Sequence, residues 1–196
     1  MTGINLNIKS DDEEIIEAFI KGDQNAFNLL VRKYQERVYW VIRKIVLNHD
    51  DADDLTQEVF IKVYSSLNDF RGDSKFFTYI YRISVNFSLN HIAKNKKILH
   101  KTVNIENTDV SSKDKKADEE MDAFERTKLL EEAIASLPEQ QRAVFNMRYY
   151  ENLSYDDISG IMNKSTGGMK ANYFHAIKNI EKFIKKHRLS ELMEQN

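Results

Sequence analysis

The chain has 196 residues, 41% of them apolar and 31% charged, with a net charge of −2, one proline, six glycines and no cysteine. Cores can form, whereas collagen-like or Pro/Gly-rich disordered chains, a disulfide framework and a thiolate metal site are excluded. The opening MTGINLNIKSDDEE lacks the apolar core of a signal peptide, and no apolar run reaches the roughly 18–20 residues that span a bilayer, so a soluble, cytoplasmic chain with no membrane insertion is expected.

Apolar spacings of three and four dominate throughout. Phe27, Leu30, Val31, Tyr34 and then Val38, Val41, Ile42, Ile45 predict a long amphipathic helix. A second helix opens with DADDLTQEVF from Asp51 to Phe60, its inward stripe being Leu55, Val59 and Val63. Asp54, Gln57, Glu58 and Ile61 follow at i, i+3, i+4, i+7 on the opposite side. Acidic residues at a helix start offset the macrodipole, which accounts for Asp51 and Asp53. A Gln-Glu-Ile patch two turns further in resembles a docking surface for a basic or amphipathic partner.

The loop Leu67–Lys75 leads into a third helix whose expected seam is Phe76, Ile80, Ile83 and Phe87. Phe77 and Tyr79 are assigned to the core with them, and Tyr81, Arg82, Val85 and Asn86 to solvent. Aromatics interleaved with cations, here Arg82, Lys94, Lys96 and Lys97, suit unstacked single-stranded bases, each of which offers a face for stacking. Leu99–Ala123 (LHKTVNIENTDVSSKDKKADEEMDA) is polar and acidic and lacks periodicity, as a flexible linker does. The expected division is residues 1–98, a linker at 99–125, and residues 126–196. The fold class is all-α, two small helical domains.

In the second domain a helix over Leu137–Tyr150 starts around the lone Pro138, with the ring in its first turn. Ser154 and Asp157 form an Asp version of the capping box for a short helix running to about Met162. Asn163-Lys164-Ser165 turns the chain, and Ser165 caps a long final helix. Short helix, tight polar turn and longer basic helix make a helix-turn-helix. At 100° per residue, Met169, Tyr173, Ala176, Ile180 and Phe183 share one side of the last helix, and Lys170, Ala171, Phe174, His175 and Lys178 lie almost opposite. A helix that reads DNA needs its cations and base-contacting side chains on the face its apolar seam leaves free.

The small net charge is the sum of unlike parts. Residues 1–98 are neutral, 99–125 carry −4 and 126–196 carry +2. Within them, Arg71–Lys101 and Lys164–Arg188 each hold seven basic residues against one acidic, the kind of segment a phosphate backbone attracts. The five histidines show no Glu-x-x-His or His-x-x-x-His spacing, and no phosphate loop, nucleophile elbow or dinucleotide fingerprint occurs. No catalytic residue, cofactor or metal is therefore expected, and the chain is not expected to be an enzyme.

Three separated motifs, DADDLTQEVFIKVY, LNDFRGDSKFFTYIYRISVN and LPEQQRAVFNMRYYENLSYDDIS, resemble in order those of RNA polymerase sigma factors of the extracytoplasmic-function (ECF) subfamily. The resemblance covers about residues 12–98, the family's region 2, and 126–188, its region 4. It implies a bacterial transcription initiation factor that binds core RNA polymerase, through the largest-subunit coiled coil and the flap, directs it to promoter DNA and promotes melting. It implies that Asp54, Gln57, Glu58 and Ile61 dock on the coiled coil. It further implies that Phe70, Arg71, Gly72, Asp73 and Ser74, with Asn86, form a pocket for a base flipped from the minus-ten element. Arg82, Lys94, Lys96 and Lys97 are assigned to nearby phosphates from their charge and position. Lys170, Ala171, Phe174, His175 and Lys178 would face the major groove of the minus-thirty-five element. Many members of the subfamily are held by an anti-sigma partner.

Two departures stand out. Tyr79-Ile80 replaces the family's frequent Trp-Leu, and Asn172 and His175 stand where arginines are usual. Fewer fixed charges there weaken the phosphate contribution and shift base preference. The alternative reading, a stand-alone helix-turn-helix regulator, explains residues 126–188 but leaves the Phe70–Asn86 motif without a task.

Overall fold

The computed structural model describes residues 6–102 and 119–194, with side chains described for 6–98 and 124–187. Eight α-helices occur among these residues, and no strand. They are α1 (Asp12–Ile20), α2 (Gln24–Val46), α3 (His49–Ser66), α4 (Phe76–Thr102), α5 (Glu119–Ala135), α6 (Glu139–Tyr149), α7 (Tyr155–Met162) and α8 (Thr166–Glu194), with one 3-10 turn at Leu67–Asp69. No helix among the described residues is long and apolar enough to cross a membrane.

The predicted stripe of α2 is its buried side: Phe27, Leu30, Tyr34, Val38, Val41, Ile42 and Ile45 are all inside, and Val31 is half-buried. Asp23 caps the helix through Asn25 N–H at 3.0 Å. Tyr34 Oη donates to Asp12 at 2.5 Å and Lys33 pairs with the same carboxylate at 2.7 Å, which fastens α1 along α2. Asn48 caps α3 by accepting from Asp51 N–H at 2.9 Å, leaving Leu55, Val59, Phe60 and Val63 to fill the space between α2 and α4.

Helices α6, α7 and α8 form the expected helix-turn-helix unit. Ser154 and Asp157 make the reciprocal capping box, Asn163 turns the chain in the left-handed region at φ 50°, and Ser165 Oγ accepts from Gly168 N–H at 3.2 Å. Pro138 stands one residue earlier than expected, as the N-cap and not in the first turn. Helix α4 runs to Thr102 and α5 begins at Glu119, so helix continues a few residues into each end of the expected linker; residues 103–118 lie outside the described ones.

The two halves do not keep separate cores. One continuous apolar cluster joins α1–α4 to Ala143, Val144 and Met147 of α6, Ile158, Ile161 and Met162 of α7, and Met169 of α8. A second cluster, with Ala133, Ile134, Leu137, Phe145, Ala176 and Ile180, belongs to the C-terminal half alone. Helix α6 lies between them, every residue from Arg142 to Met147 being buried. This arrangement corrects one expectation. Tyr81 and Val85, assigned to solvent, are completely buried, because their side of α4 is closed by the second half. Ile83 and Phe87, assigned to the seam, are only half-buried.

Candidate polymerase and promoter interfaces

On α3, burial of Leu55, Val59 and Val63 turns the opposite side outward, and Asp54, Gln57, Glu58 and Ile61 are all exposed. Ile61 is 69% exposed, as much as any large apolar side chain described. The acidic residues nearer the helix start are used internally: Asp51 meets His91 of α4 at 3.1 Å and Asp53 meets His49 at 3.4 Å. Asp54 and Glu58 have no ion pair among the described residues. The result is an acidic surface with an apolar centre, suited to an amphipathic, basic partner.

Between α3 and α4 lies an open cleft of about 380 Å³, lined by Ser66, Asp69, Phe70, Arg71, Asp73, Ser74, Tyr79 and Arg82. Its wall is aromatic. Phe70 lies 5.0 Å from Tyr79 and meets Phe76 edge-on at 6.0 Å, between ring centroids. The Tyr79 and Ser66 hydroxyls are 2.7 Å apart, which fixes the Tyr79 ring against the end of α3. Gly72 adopts φ +75° at the tip of the loop, a conformation that L side chains rarely enter. A hollow with ring faces, carboxylates and guanidinium groups can stack a planar heterocycle and hydrogen-bond its edge.

Of the loop residues expected to form the pocket, Phe70, Arg71, Asp73 and Ser74 line the cleft and Gly72 does not, while Arg82, assigned to nearby phosphates, lines it as well. Asn86 stands one turn beyond Arg82, exposed and outside the lining of the cleft. Lys94 and Lys97 are exposed further along α4. Lys96 is exposed too, but its ammonium is paired with Glu139 of α6 at 3.0 Å. The backbone N–H of Glu139 itself, at the start of α6, and after it that pair hold the Glu139 carboxyl below its usual range.

Helix α8 separates its two sides as its sequence requires. Met169, Ala176 and Ile180 are buried and Tyr173 and Phe183 half-buried, while Lys170, Ala171, Phe174, His175 and Lys178 are exposed. Phe174 remains 58% exposed, edge-on to His175 at 5.7 Å and with Lys178 Nζ 5.9 Å from its ring centroid. Thr166 Oγ1 donates to Asp156 at 2.9 Å, fixing the first turn of α8 on α7. This convex, cationic and partly aromatic rod has the shape a major groove admits.

Comparison with known proteins settles the family. The Sigma-70 region 2 model matches residues 30–98, and the Sigma-70 region 4 model residues 127–180. The RNA polymerase sigma-H factor of Pseudomonas aeruginosa is 34% identical over 184 residues, covering 90% of this chain and 95% of the relative. The ECF RNA polymerase sigma-E factor of Haemophilus influenzae is 36% identical over 182 residues, covering 88% and 95%. The chain belongs to the ECF sigma factors. Among solved structures, the sigma factor RpoE of Bartonella quintana, in complex with the anti-sigma factor NepR, matches with a TM-score of 0.63 at 17% identity, over 81% of this chain and 96% of that one. At that identity the likeness is one of fold.

Some features of this sigma factor were beyond sequence reasoning. Tyr79, assigned to the core, packs half-buried against it and is at the same time a wall of the cleft; a hydroxyl where the family has indole is the one signal that a polar neighbour, Ser66, lies beside it. Ser66 and Asp69 line the cleft without having been singled out. Asn172, at a position where family members carry arginine, folds its amide back onto Gly168 O at 2.9 Å and is not among the exposed residues.

Proposed function

We propose that this sigma factor binds core RNA polymerase, places it on promoters and stabilises the melted strand, with the work divided among three surfaces. The α3 surface of Asp54, Gln57, Glu58 and Ile61 docks on the polymerase coiled coil. The cleft between α3 and α4 takes a base flipped from the minus-ten element, with Asn86, Lys94 and Lys97 tracking the adjacent strand. The outer side of α8 enters the major groove of the minus-thirty-five element. Residues 1–98, 99–125 and 126–196 serve as melting module, connection and duplex-reading module. The chain acts in the cytoplasm and performs no catalysis itself.

One observation carries this reading: the three assigned surfaces differ in kind. An acidic-apolar patch, an aromatic hollow and a basic rod are what a protein partner, an unstacked base and a duplex respectively require. Capture of a base makes melting favourable because stacking, worth about 1–3 kcal/mol per base, is gained only outside the helix. An anti-sigma partner that covers these surfaces would silence the protein, and the RpoE–NepR complex shows that a protein of this fold accepts one. Run-off transcription with core polymerase, this chain and a pool of promoter sequences tests the reading. Specific initiation is expected; failure to associate with core would leave a stand-alone regulator.

A further inference from the structure

The hydroxyl pair at the wall of the cleft has a direction. Ser66 Oγ lies 2.6 Å from Lys62 O and 2.7 Å from Tyr79 Oη. A serine hydroxyl carries a single proton and can also accept, whereas a carbonyl oxygen has no proton to give. Oxygens as close as Ser66 Oγ and Lys62 O need a proton between them, and there it is the serine's. Ser65 Oγ also reaches that carbonyl, at 2.9 Å, from an exposed side chain that water can equally serve. With the Ser66 proton committed to Lys62 O, the bond between the hydroxyls is donated by the phenol. Tyr79 Oη keeps only lone pairs for a further partner: it accepts and does not donate.

The other polar groups of the cleft are of a different kind. Asp69, Arg71 and Asp73 are exposed, and neither they nor Arg82 has an ion pair or side-chain hydrogen bond among the described residues. Such side chains turn toward whichever edge a base presents, arginine donating and aspartate accepting. They add affinity with little choice. Discrimination needs a polar group that cannot adapt, because only then does the wrong partner leave something unpaired. Tyr79 meets that condition. Its ring lies 5.0 Å from Phe70 and 6.2 Å from Phe76 between centroids, and its proton is held by Ser66. Adenine, cytosine and guanine each carry an exocyclic amine that can donate to such an oxygen. Thymine has no such amine; its one ring N–H lies between carbonyls, an edge that a lone acceptor meets poorly.

We propose that Tyr79, with its proton fixed by Ser66, is a specificity-determining residue of the cleft and selects an amine-bearing base against thymine. The inference rests on the sigma-factor reading above, with the cleft as the site of the extruded base. Holoenzyme made from core polymerase and the full chain is used to select single-stranded DNA from a pool randomised over a segment of minus-ten length. In the strands that wild type retains, one position should be depleted of thymine about five- to tenfold, the worth of one hydrogen bond. Tyr79→Phe keeps the ring and removes the acceptor, so thymine should return at that position alone. Ser66→Ala releases the phenol proton and lets Tyr79 donate to a thymine carbonyl. Thymine should then rise at the same position above its level with Tyr79→Phe. Base proportions are read within each variant, so a smaller folded fraction does not move them. A merely structural role would lower recovery of every base alike and leave the proportions unchanged, which would overturn the proposal. Thymine depletion that survives Tyr79→Phe, or an unaltered preference in Ser66→Ala, would do the same. Should the wild-type chain fail to associate with core, the sigma-factor reading itself falls, and this inference with it.

Discussion

The two surfaces assigned to promoter DNA are built on opposite plans. The cleft between α3 and α4 is concave, and its shape depends on packing: Phe70 is held by Tyr79 and Phe76, and Tyr79 by Ser66. The outer side of α8 is convex, and its five residues are largely free of the packing that makes the helix. The difference suits the two forms of DNA proposed for them. A duplex brings its own rigidity and needs only a rod of the right chemistry, whereas an extruded base has lost its stack and must find a preformed one. Substitutions in the cleft should therefore act on melting and on local structure together, and those on α8 on recognition alone.

The largest effect is expected from Phe70→Ala. Loss of a stacking wall worth about 1–3 kcal/mol should lower open-complex formation between about fivefold and a hundredfold, read by permanganate reactivity of the minus-ten element. Core binding should be unchanged; a defect confined to duplex binding would dissolve the distinction. Asn86→Ala should likewise impair melting and spare core binding, and a loss of core affinity would place Asn86 in the fold instead. Next in size, Phe174→Ala and Lys170→Ala should weaken duplex minus-thirty-five binding about tenfold while leaving initiation from a premelted template intact. Lys170→Ala should also reduce the slope of log K against log salt by about 0.9 if it neutralises one phosphate. Equal losses on premelted and duplex templates would show that α8 does more than read the groove.

Smaller effects test the scaffolding. Tyr79→Phe removes the bond to Ser66 and should cost about 1 kcal/mol of stability, seen in urea unfolding. The mildest case concerns pH. Because its own backbone N–H and then Lys96 hold Glu139 below its usual range in the folded chain, its ionised carboxyl contributes stability above the ordinary glutamate value of about 4.3. That contribution is lost as pH falls through the depressed value. The difference in Tm between wild type and Glu139→Gln should accordingly be present at pH 7 and vanish in strong acid. A difference that grows on acidification would contradict the assigned cause.

How much of this was legible beforehand divides along the same line. Features encoded by neighbours three or four residues apart were readable: the α2 stripe, the Ser154–Asp157 box, the exposed row on α3 and the two sides of α8. Those that depend on distant partners were not. Tyr81 and Val85 read as solvent-facing because the residues that bury them lie some sixty or more positions away, Glu151 among them. Lys96 read as a free phosphate contact because its partner, Glu139, lies across the linker. Arg142 and Asn146 sit in a helix with several other polar residues, and nothing in their spacing marks them as the ones that satisfy another helix's carbonyls. Periodicity reports which side of a helix is inward; it carries no information on what else the outward side will meet.

The separation of sides on α8 also bears on how such proteins diversify. Met169 anchors the helix in the cluster shared with α1–α4, Ala176 and Ile180 anchor it in the cluster of its own half, and Lys170, Ala171, Phe174, His175 and Lys178 belong to neither. Five codons can thus be rewritten without drawing on the reserve of folding stability. On the proposed assignment of this surface, target choice becomes a trait that can drift, duplicate and specialise while the scaffold is inherited unchanged.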